Sequence, residues 1–228
     1  MNESIGNFDE YARTYDQLLS GALGVFGKEN SYYAFRKVEY LSFLLQKKRP
    51  QRILDFGCGV GSIICHLFEF FPEAEIWGSD PSVSSMQIAQ RENPRMKCVD
   101  ELGIPSNYFD VVVLSNVLHH VQEAHRKSLL QRISKCLVDP GKIVIFEHNR
   151  LNPITRRIVD RCEFDEGVEL LSKRSCSELL MRTGSFQDFE SGYFLFMPPF
   201  LKKIRNVEQS LNSLPLGAQF WLTARRLG

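Results

Sequence analysis

The apolar positions of this chain fall into short runs separated by stretches of helical spacing. Residues 8–20 and 29–47 read as two helices, parted by the glycine-rich segment 21–27; in the second, Tyr33, Val38, Tyr40, Leu41, Leu44 and Leu45 recur near helical spacing. Pro50 marks its exit. The run Ile53-Leu54-Asp55-Phe56 predicts a first strand, and Ser62–Phe71, with Ile63, Ile64, Leu67 and Phe68, predicts a helix closed by Pro72. A second strand over Glu75–Ser79 precedes a helix that opens at Pro81 and Ser82 and carries Met86, Ile88 and Ala89. A short strand follows at 96–99, then a turn-rich segment at 103–107.

The run 109–114 is apolar throughout after Asp110, the pattern of a strand covered on both faces. An amphipathic helix over 123–137 (Ala124, Leu129, Leu130, Ile133, Leu137) turns at Asp139-Pro140-Gly141 into a fifth strand. A helix at 175–183 and strands at Phe186–Phe196 and Ala218–Arg225 complete the pattern. Strands alternating with helices imply an α/β fold, a mostly parallel sheet with helices on both faces. The last two strands need no helix between them, so they are expected to pair antiparallel at the sheet edge. The expected organisation is one domain over residues 1–228, with a helical cap at 1–49 and two further cap insertions at 149–172 and 197–216. Both insertions connect elements at the carboxyl ends of strands, where open α/β sheets bind ligands and long loops commonly carry specificity.

Composition adds exclusions. With 228 residues and 43% apolar content the chain can bury a sizeable core. A formal net charge of +1 implies no general attraction to nucleic acid or to anionic membranes. The six cysteines (58, 65, 98, 136, 162 and 176) form no C-x-x-C pair and fit reduced thiols in a cytoplasmic protein. Met1-Asn2-Glu3-Ser4 lacks the start of a signal peptide, and no apolar run approaches the ~20 residues of a membrane span. The aromatic and then basic stretch 193–203 reads as a strand end packed over the core, with membrane contact as its alternative.

The chemistry concentrates at Asp55-Phe56-Gly57-Cys58-Gly59-Val60-Gly61. Glycines at alternate positions after a strand let the backbone approach a ligand closely. Twenty-five residues after Asp55, Asp80 ends the second strand, where an acid can receive the two hydroxyls of a nucleoside ribose. Dinucleotide folds favour G-x-G-x-x-G, whereas Ser62 stands where the last glycine would be. The order D-x-G-x-G-x-G resembles the first motif of class I S-adenosylmethionine-dependent methyltransferases. The resemblance extends through Asp80, Val99-Asp100-Glu101-Leu102, Phe109–Asn116 and Gly141–Glu147, covering roughly residues 50–148. Within that superfamily the chain looks closest to a small-molecule group that includes quinone-biosynthesis methyltransferases.

The resemblance implies a Rossmann-like seven-stranded sheet and S-adenosyl-L-methionine as cofactor. Gly57, Cys58 and Gly59 would offer backbone to its methionine part, with Asp55 orienting the loop or the ammonium. Asp80, with Pro81 beside it, would hold the ribose. Asp100 and Glu101 would border the adenine, and Ser115 would lie beside the sulfonium. Tyr11, Tyr15 and Arg36 are candidates for the cofactor carboxylate. If the acceptor needs a base, His119, His120, Glu147 and His148 stand at the right strand ends, and a structural role for the 119–120 pair is the alternative.

Cys58 reads as a small residue that fits the loop rather than as a nucleophile. The histidines at 119, 120 and 125 lack the cysteine or carboxylate partners of an obvious metal site. The fourth strand ends in Leu-Ser-Asn-Val and not Asn-Pro-Pro-Tyr, which disfavours nucleic acid as substrate. The expected substrate is therefore a small organic or lipid-like molecule. The rivals are a non-catalytic S-adenosylmethionine-binding regulator and an NAD-binding oxidoreductase.

Overall fold

A computed structural model describes residues 30–46, 49–162, 167–197, 208 and 210–228. The predicted helix at 8–20, Tyr11, Tyr15 and most of the 197–216 insertion lie outside the described residues. In chain order the elements are α1 (Asn30–Leu45), β1 (Arg52–Phe56), α2 (Ile64–Phe70), β2 (Glu75–Ser79), α3 (Val83–Glu92), β3 (Lys97–Cys98) and β4 (Phe109–Ser115). They continue with a 3-10 turn (Leu118–His120), α4 (Glu123–Cys136), β5 (Leu137–His148), α5 (Pro153–Val159), α6 (Lys173–Arg182), β6 (Phe186–Phe194) and β7 (Gln219–Arg226).

The seven strands form one sheet in the order β3-β2-β1-β4-β5-β7-β6. Strands β3 to β5 pair in parallel, whereas β7 runs antiparallel to both β5 and β6. The antiparallel edge is therefore as the apolar pattern predicts. The middles of the central strands are apolar on both faces because each face is covered. Ile53, Val111, Val113, Val144 and Phe146 point to one core with Val38, Leu41, Ile64 and Leu67. The intervening Leu54, Val112, Leu114, Ile143 and Ile145 point to the other, with Leu130, Ile133 and Leu180. That is the period-2 alternation of a strand, and each fully buried Leu or Ile contributes about 2 kcal/mol.

Several boundaries differ from expectation. The loop runs on as turns to Ile63, so α2 begins at Ile64 rather than Ser62. β5 begins at Leu137, because Leu137 already pairs with Phe109, before the register break that resumes at Val111–Lys142. β6 stops at Phe194, two residues early, since Leu195 turns to φ +59°. The 149–172 insertion contains α5, whose N-terminus is capped by Asn152 Oδ1 accepting from Ile154 N and Thr155 N, with Pro153 at the first position.

Candidate active site

The glycine loop is folded across the end of β2. Gly57 N and Cys58 N both donate to Ser79 O, at 2.7 and 3.1 Å. Gly57 has φ +73°, and a Cβ there would lie 2.6 Å from Val117 Cγ2. Gly59, at φ +54°, is different: a Cβ on it would meet nothing within 4 Å. One glycine is required by packing, and the other faces open space. Gly59 N donates to Asp80 Oδ2 at 2.8 Å, and Ser82 N donates to Asp80 Oδ1 at 2.9 Å. Asp80 thus braces the loop and the start of α3 together. Pro81 follows it, exposed at the head of α3.

Asp55 is buried at the end of β1, and among the described residues its Oδ1 has no hydrogen-bond partner. Burial pushes its carboxyl up to about 7; Lys37 opposes that rise and Asp80 adds to it. Cys58 is buried with Sγ 3.5 Å from Met86 Sδ, and burial drives its thiol far above the ordinary value. A thiolate nucleophile is therefore disfavoured there. Asp100 and Glu101 are exposed after β3: Asp100 Oδ1 accepts from Gly103 N at 2.7 Å, and Glu101 pairs with Arg132.

Ser115, at the end of β4, accepts a 2.8 Å hydrogen bond from Lys37 Nζ. Lys37 is buried, and burial lowers its ammonium to about 8, although Glu147 and Asp55 pull it back up. This cation escaped sequence reasoning, which pointed to its neighbour Arg36. Arg36 instead pairs with Glu39 and Glu208, so its guanidinium is already matched. The signal for Lys37 was present. Ala34, Lys37, Val38, Leu41 and Leu45 share one helical face, and all are buried.

The histidines gather at the tips of β4 and β5. His119 Nδ1 lies 2.6 Å from Glu147 Oε2, and Leu118 N donates to Glu147 Oε1 at 2.7 Å. Burial would raise the Glu147 carboxyl. The charge and hydrogen bond of His119, with His148 and Leu118 N, outweigh it and hold that carboxyl below its ordinary value. The His120 ring centroid is 4.0 Å from that of His119, and His148 is 5.4 Å from it. His119 is sealed, whereas His120 and His148 are half-buried. Arg126 clamps the turn from below, its Nε donating to Leu118 O and Val121 O. Asn149 is occupied structurally, donating to Pro215 O and Gly217 O.

One sheet edge therefore carries the glycine loop, Asp55, Asp80, Lys37–Ser115 and the histidine cluster. Among the described residues no three His, Cys, Asp or Glu side chains are grouped as a metal ion requires. Also among them, no helix is long and apolar enough to cross a membrane.

Comparison with known proteins agrees with this geometry. An uncharacterized methyltransferase from Bacillus cereus is 25% identical over 199 residues, covering 85% of this chain and 83% of that protein. A stretch of 115 residues, 47% of this chain, is 30% identical to phosphoethanolamine N-methyltransferase 3 from Arabidopsis thaliana, but spans only 23% of that enzyme. Among solved structures, a SAM-dependent methyltransferase from Thermotoga maritima, described as a possible histamine N-methyltransferase, superposes with a TM-score of 0.68. It is 15% identical, with 96% of this chain and 97% of that one covered, and so speaks for the fold alone. A family described as a methyltransferase domain matches residues 26–184, which take in the glycine loop, Asp80 and the β4–β5 tips, and the chain belongs to that family.

Proposed function

We propose that this chain transfers a methyl group from S-adenosyl-L-methionine to a small organic or lipid-like acceptor. The observation that carries the reading is the open space at Gly59 beside Asp80. It is a cradle that a side chain would fill, next to a carboxylate that two backbone N–H groups hold at the tip of β2. The orphaned Asp55 Oδ1 fits the same ligand, as a buried acceptor suited to an ammonium. Bound there, the cofactor would supply a methyl group made electrophilic by its sulfonium.

The chain's own residues would divide the work. Backbone from Gly57 to Gly59 and the carboxylate of Asp55 would hold the methionine part, and Asp80 the ribose. Asp100 and Glu101, after β3, stand where the adenine would end. Ser115, held by Lys37, would sit beside the donor. Aligning acceptor with donor and excluding water is most of what such a displacement demands. The half-buried His120 and His148 are the rings with access to an acceptor proton. His119, sealed against Glu147, would act by fixing the turn that carries His120.

The acceptor is the least constrained part. The plant relative named for phosphoethanolamine supports a small molecule. An NAD-binding oxidoreductase fits less well, given Ser62 and the antiparallel β7.

The test is calorimetric titration with S-adenosylmethionine, S-adenosylhomocysteine and NAD. Saturable binding of the first two, without NAD, is the expected result. Indifference to both adenosyl compounds at millimolar concentration would sink the proposal.

A further inference from the structure

Gln219 opens β7 opposite His148, the last residue of β5, in the antiparallel register. Side chains alternate along both strands, and the paired Phe146 and Trp221 belong to the core that α1 covers, so His148 and Gln219 share that face. Ser115 shares it too, by alternation with Val113 on β4. Gln219 is only 6% exposed, and its Nε2 lies 3.3 Å from Asn116 Oδ1 and 3.5 Å from His148 Nδ1. Its Oε1 is sealed from solvent, and among the described residues it has no hydrogen-bond partner. Turning the amide over would set that oxygen against Asn116 Oδ1, acceptor against acceptor.

The backbone beneath this side chain is pinned. Asn149 N and Thr155 Oγ1 both donate to Ala218 O, at 3.0 and 2.9 Å, and Ala218 N donates to Leu195 O at 3.1 Å. Asn116 is fixed as well, its N donating to Phe146 O at 2.8 Å. The ends of β4, β5 and β7 thus converge on one carboxamide whose oxygen is held in place and unmatched. A buried acceptor without a partner calls for a ligand or a water to satisfy it. In the sheet, β7 lies two strands beyond β4, roughly 10 Å across and on the side away from the glycine loop and Asp80. A molecule approaching the methyl donor beside Ser115 from that side would meet Gln219.

We propose that Gln219 Oε1 receives an N–H or O–H donor of the methyl acceptor, which makes Gln219 a specificity-determining residue that selects amines and hydroxyl compounds. The inference rests on the methyl-transfer reading above and deepens it by giving the acceptor a protic group. An acceptor carrying the donor satisfies the buried oxygen, whereas one without it leaves the oxygen unpaired, and that difference is what the site reads.

Phenol and benzylamine serve as donor-bearing probes, with anisole and toluene as their counterparts lacking the donor. Each is titrated into the full chain saturated with S-adenosylhomocysteine and followed by ligand-detected NMR. The expected result is that phenol binds at least about tenfold tighter than anisole, or benzylamine than toluene, and the pair that responds tells hydroxyl from amine. Gln219→Met, close in volume but without the oxygen, should erase the preference while leaving S-adenosylhomocysteine affinity as it was. Gln219→Glu retains acceptor oxygens, so it should keep a preference and shift it toward the cationic benzylamine.

Equal affinities within both pairs for the native chain, or no saturation by either donor probe up to its solubility, overturns the proposal and leaves the oxygen to an ordered water. So does a preference that survives Gln219→Met. If S-adenosylhomocysteine fails to bind while the probes, titrated without it, still show a preference that depends on Gln219, the methyl-transfer reading falls and the donor-binding site stands.

Discussion

Glu147 and His119 meet across 2.6 Å with side-chain exposures of 1% and 0%, so this carboxylate at the tip of β5 is sealed from water. Its other oxygen accepts from Leu118 N. A single side chain from β5 thereby fixes the turn that carries all the β4 candidates for proton transfer.

Removing that carboxylate should act on stability first. Glu147→Ala leaves His119 and Leu118 N buried without their acceptor, and breaking such a pair costs about 3 kcal/mol or more. The carboxyl is held below its ordinary value of 4.5, so its stabilisation is full above that pH and is lost as pH falls through the lower folded value. Urea unfolding of both proteins should show a gap at pH 7 that narrows below about pH 4.5. A gap unchanged down to pH 3 would contradict the assignment.

Asp55 has the opposite sign. Its folded value, about 7, lies above the ordinary 3.8, so the folded state binds more protons between those limits and stability falls as pH rises through them. Asp55→Asn should remove that fall. The difference grows from pH 4 to pH 7, with an upper bound of about 4 kcal/mol. The same variant should bind S-adenosylhomocysteine about tenfold more weakly, because the buried carboxylate that can carry a charge opposite its ammonium is gone. Parallel melting curves across that range would refute the first part.

Lys37 predicts a second limb. Burial sets its folded value at about 8 against 10.5, so the unfolded chain binds more protons in that window and stability rises with pH across it. Lys37→Met should abolish the rise. It should also free Ser115 Oγ from its donor. Chemical denaturation between pH 7.5 and 10.5 decides the matter, and an identical slope in both proteins would rule the linkage out.

Much of this arrangement was legible in the sequence, for identifiable reasons. The strands at 53–56 and 109–115 announced themselves because both faces are covered, and the loop because Gly57, Gly59 and Gly61 all have positive φ. Asp80 was placed by its position after β2 alone. What could not be read was pairing at a distance. Nothing local joins His119 to Glu147, 28 residues on, or Lys37 to Ser115, 78 residues on. α5 hid in a polar insertion although Asn152 and Pro153 spelled a helix start, because seven residues are too few to show an apolar period.

Asp80 carries the sharpest affinity prediction. Asp80→Ala removes the acceptor for Gly59 N and Ser82 N along with the expected ribose contact. Charge-assisted hydrogen bonds are worth about 1.5–3 kcal/mol, so S-adenosylhomocysteine affinity should drop about tenfold to a hundredfold. Asp80→Asn keeps an acceptor and should fall between. Affinity equal to wild type in the alanine variant would remove this residue from the site.

The two glycines separate fold from function most cleanly. Gly57→Ala puts a methyl 2.6 Å from Val117 Cγ2 at φ +73°, so backbone strain and a clash act together. That variant should lose about 2–3 kcal/mol of stability, and its weakened binding would prove little. Gly59→Ala meets no protein atom within 4 Å, so only the left-handed φ of +54° opposes it, at about 1 kcal/mol. Its new methyl enters the space assigned to the cofactor. Gly59→Ala should therefore melt within a few degrees of wild type yet bind S-adenosylhomocysteine at least about tenfold more weakly. Paired melting and titration measurements read both quantities on the same samples. If the alanine at 59 binds as well as glycine, the open space there holds no ligand, and the loop's three positive-φ glycines would need a purely structural explanation.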